Sequence, residues 1–188
     1  VPGPTSHVSI ANATVTAGSP SVASLALSDV SLTATALNVA DDFTVYGVST
    51  VSLKRPSTVG GSVVLGKDVE LTHATGDRAN RIDLTVGGAM TVQAGARVNV
   101  KGKGVTGGPG QAAYSSYGGR TDSTSGADCY GSLTKPYDQG SGGANAATGT
   151  SKPGGAVKLV VGGTLRIEVD YGPESNGQIS RPDAGRPL

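Results

Sequence analysis

The feature that most constrains this chain is a two-residue alternation of aliphatic and polar side chains, which is clearest over residues 7–17 and 24–34. Successive side chains of a β-strand point to opposite faces, so this alternation places one set of residues inward. The residues predicted to point inward are Val8, Ile10, Val15, Leu25, Leu27, Val30 and Leu32. No segment has the three- and four-residue spacing of a stable helix. We therefore predict a chain that is nearly all β.

The alternating blocks recur over residues 43–53, 62–71 and 81–100. Successive blocks begin roughly every twenty residues, which is the length of one coil of a solenoid. Inward positions of successive coils would then stack into ladders of small β-branched side chains. The spacing predicts a right-handed parallel β-helix, that is, a β-solenoid.

The pattern is interrupted over residues 102–155, a Gly/Tyr-rich stretch that holds half of the 30 glycines. Alternation resumes at residues 156–169 and matches residues 82–92, with apolar alternation on both sides of a Gly-Gly pair. We interpret the stretch as a loop insertion between late coils, and such long loops are usually functional. The prediction is one domain over residues 1–188, with N-terminal coils at 1–101, a loop excursion at 102–155, and a C-terminal coil and tail at 156–188.

Composition excludes several classes of protein. The net charge is +1 and the basic residues are not clustered, which argues against a nucleic-acid partner. No apolar run reaches eighteen residues, so we predict no membrane insertion. Cys129 is the single cysteine, and it is either a free thiol or paired with another chain. Because the sequence begins at Val1 rather than Met, we expect a processed product or one domain of a longer protein.

The sequence offers few candidates for catalytic or metal-binding residues. A nucleophilic Cys129 needs a histidine base, and the chain has His7 and His73. A polysaccharide-cleaving site needs acids beside basic residues, and the candidates are Asp122, Asp128 and Asp138 with Arg120 and Lys135. All five lie in the glycine-rich stretch, where turn carboxylates are common. Neither calcium-loop nor phosphate-loop spacing is present. We predict no enzymatic activity, no metal and no cofactor.

Tyrosines are concentrated in the glycine-rich stretch, which holds four of the six in the chain. These four are Tyr114, Tyr117, Tyr130 and Tyr137. A tyrosine has a flat apolar face and a polar tip, which suits two roles. The side chains either pin the loop onto a β-surface or contact sugars and partner proteins. Both roles stay open, and these four tyrosines are the predicted contact residues.

Two segments carry a resemblance to a known family. Residues 87–104 read GGAMTVQAGARVNVKGKG, and residues 130–143 read YGSLTKPYDQGSGG, followed by GGAVKL at 154–159. Together they resemble the glycine-rich β-helical modules of very large secreted or surface-attached bacterial proteins, including predicted adhesins. The resemblance spans about residues 83–185, and residues 177–185 depart from the family's closing corner. It implies a β-helix located outside the cell or on its surface.

We therefore expect a non-enzymatic extracellular structural and adhesion module, with the tyrosine-rich loop as its contact surface. Its expected partner is a cell-surface glycan or protein, or a second copy through the solenoid ends. One alternative is a carbohydrate-active β-helix enzyme resembling polysaccharide lyases or hydrolases. The other is a subunit of an extracellular fibre or sheath, which open β-edges make easy to assemble.

The strand patterning predicts that far-UV circular dichroism will show β-structure with very little helix. A helix content above about a fifth, approaching the average of soluble domains, would contradict the all-β prediction.

Overall fold

The computed structural model describes residues 5–75, 77–104, 134, 138–140 and 153–168. Within these ranges the chain forms strands joined by turns, and none of it is helical. No helix among these residues is therefore long and apolar enough to cross a membrane. The strands are β1 (His7–Ala17), β2 (Ser21–Val22), β3 (Ser24–Ala34), β4 (Asn38–Val39), β5 (Phe43–Tyr46), β6 (Thr50–Leu53), β7 (Ser57–Val59), β8 (Val63–Leu65), β9 (Glu70–His73), β10 (Ile82–Val86), β11 (Met90–Val92), β12 (Arg97–Val98), β13 (Val157–Val161) and β14 (Leu165–Ile167).

The strands form two parallel sheets, one of nine strands and one of five. The larger sheet has the order β12-β9-β6-β3-β5-β8-β11-β14, with β1 added on β3. Strand β3 is the branch point, because its first half pairs with β5 and its second half with β6. The smaller sheet has the order β13-β10-β7-β4-β2.

The right-handed parallel β-helix predicted from the sequence is wrong. The described residues are all β and form two parallel sheets, and the larger sheet curls through 281° into a half-barrel. This arrangement resembles the parallel sheets of α/β proteins, although the described residues include no helix. The twenty-residue spacing does predict parallel neighbours, but it carries no information on how a sheet curls. The long strand β3 joins two rows of short strands into one surface.

In-register pairing aligns apolar side chains into columns that run across the sheets. The Val8 column consists of Val8, Leu25, Phe43, Val63, Met90 and Leu165. The Ile10 column consists of Ile10, Leu27, Val45, Leu65, Val92 and Ile167. The smaller sheet carries a valine column of Val22, Val39, Val59, Val86 and Val161. The inner members of all three columns are buried and form the core.

Bends in the longest strands are made by residues with left-handed backbone. Asn12 in β1 has φ 51° and Asp29 in β3 has φ 56°, a conformation that Asn and Asp tolerate better than most residues. The Asp29 carboxylate also accepts a hydrogen bond from the Val48 backbone N–H at 2.9 Å. The bend therefore turns β3 while the side chain ties it to the next layer.

A second corner depends on stacked Gly-Gly pairs. The Gly87 N–H donates to Val59 and the Gly162 N–H to Val86, both at 2.8 Å. A Cβ at Gly87 would overlap the Gly60 carbonyl oxygen, and one at Gly162 would meet the Gly87 carbonyl at 2.5 Å. Glycine is required here because one backbone lies directly against the next. The corner that the sequence repeats at 87–88 and 162–163 is thus a site of close backbone stacking.

Burial separates the two matched segments. Leu84, Val86 and Val92 are buried as the alternation predicts. The same prediction is wrong for the later segment, because Leu165 is 45% and Ile167 67% exposed. Leu159 and Val161 are only half-buried. Strand β13 lies at the edge of the smaller sheet and β14 at the edge of the larger sheet. Each therefore pairs with only one described strand, which leaves its side chains more exposed.

Leu84 and Leu159 are register partners, which makes them a matched pair for testing the core. Leu84→Ala should lower the free energy of unfolding by about 2 to 5 kcal/mol, because it leaves a cavity among buried side chains. Leu159→Ala should lower the free energy of unfolding by only about 1 kcal/mol, because the half-buried Leu159 side chain buries less apolar surface on folding. Urea denaturation of both variants measures the difference. Equal losses would contradict the assignment of β13 to an edge.

Candidate functional site

The four tyrosines predicted as contact residues, Tyr114, Tyr117, Tyr130 and Tyr137, lie outside the described residues, as does Cys129. The structure does describe the points where the glycine-rich stretch leaves and rejoins the sheets. The two ends are residues 100–104 and 153–156, and residues 138–140 lie between them in the sequence. Together with residues 73–75, residues 77–80 and Arg55, which they meet, we call these residues the anchor. The anchor is the candidate functional site of the chain.

Backbone hydrogen bonds hold the two ends of the stretch together. The Gly155 N–H donates to the Val100 carbonyl at 2.8 Å, and the Gly104 N–H donates to Pro153 at 2.9 Å. Between these ends, the Gly140 N–H donates to the Gly154 carbonyl at 3.1 Å. The chain therefore leaves and returns at one place, and residue 140 of the intervening stretch lies at that same place.

His73 is fully buried in the anchor and uses both ring nitrogens. Nδ1 lies 2.8 Å from the Ala74 carbonyl oxygen, so this nitrogen carries the proton and donates it. Nε2 then accepts a hydrogen bond from the Ala156 backbone N–H at 3.3 Å. The lone pair that a general base would use is directed at Ala156. In this structure His73 joins the returning chain to β9.

Burial lowers the pKa of His73 below its ordinary value of 6.5, since a charged imidazolium is poorly solvated in the interior. The hydrogen bond to Ala74 acts in the opposite direction, and the nearby Lys103 lowers the pKa further. The neutral ring is also the form that accepts the Ala156 N–H. The protonation state of His73 and the closure of the stretch are therefore coupled.

Gln139 connects the middle of the stretch to the same region. Its side chain is 1% exposed, and Nε2 donates to the backbone carbonyls of Asp77, at 3.2 Å, and of Asn80. A buried amide that bridges two carbonyls fixes the position of its own backbone. The sequence did not single out Gln139, because a glutamine among glycines has no pattern that signals burial.

Charged groups line the outer side of the anchor. Arg55 contacts the Asp77 carboxylate at 2.7 Å and donates to the Asn80 side-chain oxygen at 2.8 Å. A hydrogen bond from the Ala79 N–H and the neighbouring Arg55 lower the pKa of Asp77. Asp138 lies 3.8 Å from Arg78. These pairs are partly exposed, so each contributes little stability and mainly orients the 77–80 turn.

A buried carboxylate lies beside the anchor. Asp83 in β10 is 7% exposed and contacts Arg81 at 3.3 Å and Lys158 at 3.2 Å. Asp83 and Lys158 are register partners, so the sequence match between the two segments already aligned them. That match was interpreted for its apolar residues alone, and the charge pair was missed.

The acids that suggested a carbohydrate-cleaving site are only partly described. Asp122 and Asp128, together with Arg120 and Lys135, lie outside the described residues, while Asp138 faces Arg78. Among the residues that the structure describes, no three His, Cys, Asp or Glu side chains group closely enough to hold a metal ion.

Comparison of the chain with protein-family models, with curated proteins and with solved structures finds no match. The resemblance to glycine-rich bacterial surface modules therefore stays a prediction.

The anchor predicts a pH dependence of stability. Because the pKa of His73 is lower in the folded chain, the unfolded chain binds a proton at a pH where the folded ring is still neutral. Stability should be greatest above the ordinary pKa of 6.5 and fall as the pH decreases below it. His73→Asn should be less stable but should lose this pH-dependent component. Urea denaturation across this range measures it, with His7→Asn as the control that retains His73. An unchanged slope in His73→Asn would contradict the assignment.

Proposed function

We propose that the chain is a non-enzymatic structural and adhesion module of the cell surface or extracellular space. In this proposal the two parallel sheets form a stiff scaffold, and residues 105–152 form a contact surface displayed from one side of it. The observation that carries the proposal is the anchor, which holds both ends and one internal point of this stretch.

The anchor supports display because it limits the freedom of a glycine-rich backbone. Ordering each residue costs roughly 1 to 2 kcal/mol, and glycine loses the most freedom. The hydrogen bonds at Gly104, Gln139 and Gly155 divide one long loop into two shorter loops, each with both ends held. Less ordering entropy then remains to be lost when a partner binds, which favours binding.

Tyrosine is the side chain best suited to make the contact. Outside Leu133, the stretch has few other large apolar side chains. Aromatic rings stack on sugar faces and are enriched in protein interfaces, while the hydroxyl supplies a hydrogen bond. The proposed partner is a cell-surface glycan or protein, contacted by Tyr114, Tyr117, Tyr130 and Tyr137. The extracellular location follows from the family resemblance of the sequence.

Substitution of these tyrosines tests the proposal. Tyr130→Ala and Tyr137→Ala should abolish binding to a glycan array or to cells, while leaving the thermal unfolding midpoint unchanged. Tyr46→Ala is the matched control, because Tyr46 is a half-exposed tyrosine of β5 on the scaffold itself. The control should bind as the wild type does.

Limited proteolysis separates contact from anchoring. If the two tyrosines only pin the stretch, their substitution should increase the rate at which the protease cleaves it. The fraction of protein that is still uncleaved should then bind as the wild type does. If they contact a partner, cleavage should keep the wild-type rate while binding is lost. Rapid native cleavage of the wild-type stretch, with the sheets intact and no binding to glycans or cells, would contradict the proposed display.

A further inference from the structure

Strand β1 is a long edge strand that lacks most of the usual protection, although Asn12 bends it. Edge strands normally carry charges, proline or bulges that prevent pairing with another chain. Residues 7–17 contain no Lys, Arg, Asp, Glu or Pro. Among the described strands, β1 pairs only with β3. Within the part of the chain that the structure describes, no strand pairs with the other side of β1.

Among the described strands, the opposite edge is also unpaired, and it is apolar. Strand β14 pairs only with β11 among the strands that the structure describes. Leu165 and Ile167 are large aliphatic side chains at this edge, and they are 45% and 67% exposed. In the smaller sheet, β13 also exposes Val157 at 44%.

The columns relate these two edges. Leu165 ends the column that begins at Val8, and Ile167 ends the column that begins at Ile10. In the smaller sheet, the valine column begins at Val22 and ends at Val161. Every residue in each column is apolar. The first residue of a column is therefore a suitable neighbour for the last residue of that column, which has an apolar neighbour on one side only among the described strands.

We propose that the β13–β14 edge of one copy binds the β1–β2 edge of a second copy, in parallel register. Leu165 then contacts Val8 of the second copy, and Ile167 contacts Ile10. The outward-facing Arg166 meets Ser9, so no like charge opposes the pairing. The three columns continue from one copy into the next without a change of chemistry.

The occupant is a second copy because the two edges of a parallel sheet differ from each other. The β14 edge of one copy therefore pairs with the β1 edge of another and not with a second β14 edge. This contact is head-to-tail, and the resulting assembly keeps one free edge at each of its ends. A cavity of about 80 Å³ adjoins β1, lined by aliphatic side chains that include Val8, Ile10 and Val22. An apolar layer supplied by a second copy closes this end of the core, which a polar partner would not do.

Paired edge variants test the contact by sedimentation velocity across micromolar to millimolar concentration. The wild type should form concentration-dependent multimers. Ile167→Lys blocks one edge and Ile10→Lys the other, so each variant alone should be monomeric, with association weakened by more than about tenfold. An equimolar mixture should form a heterodimer and nothing larger, because each partner retains one open edge. Val48→Lys is the matched control, since Val48 is 78% exposed in the turn between β5 and β6, away from both edges.

Hydrogen exchange gives a second measurement that needs no variant. In the wild type, amides of β1 and β14 should gain protection together as the concentration rises, while amides around Val48 should not. A wild type that is monomeric throughout would overturn the proposal. Dimers formed by Ile10→Lys alone would also overturn it, because they would require two β14 edges to pair.

Discussion

In-register parallel stacking is the constraint on which the rest of this structure depends. Each strand supplies one side chain to a column, so a column stays dry only if every layer contributes an apolar residue of suitable size. The Val8 column accepts residues as different as Val, Phe and Met because neighbouring columns compensate in volume. The Gly-Gly corner has no such tolerance, since there one backbone lies directly on the next.

The same constraint explains how the sheets accommodate a long insertion. Strand β13 pairs with β10 over five residues in register, although the whole glycine-rich stretch separates them in sequence. The entropy of closing a loop grows slowly with its length, so a longer excursion costs little once its ends are joined. The anchor joins them through backbone hydrogen bonds and two buried polar side chains, His73 and Gln139. Losing one of these buried hydrogen bonds would leave its donor or acceptor without a partner, and this makes the position of the ends specific.

The two proposals concern different parts of one geometry. Display uses the side of the sheets, where residues 105–152 leave and return, whereas association uses the two edges. A layered parallel structure makes both available at once, because turns line its sides and the described strands at its ends pair on one side only. Neither use requires a catalytic group. The buried Asp83, with Arg81 and Lys158, is accounted for as a link between β10 and β13.

The sequence by itself determined the local structure. Alternation predicted strands at 7–17 and 24–34, and the structure has β1 and β3 there. The match of 82–92 with 156–169 predicted neighbours, and these segments pair in register. Period-two patterning reports which face of a strand is apolar, and that information is local. Only the tertiary structure decided three other features. The curl belongs to the larger sheet as a whole. The exposure of Leu165 and Ile167 depends on the place of β14 at the edge of the described strands, and the assembly of the anchor depends on contacts between distant residues. Gln139 and Asn80 meet across 59 positions, and no periodicity within either segment encodes that contact.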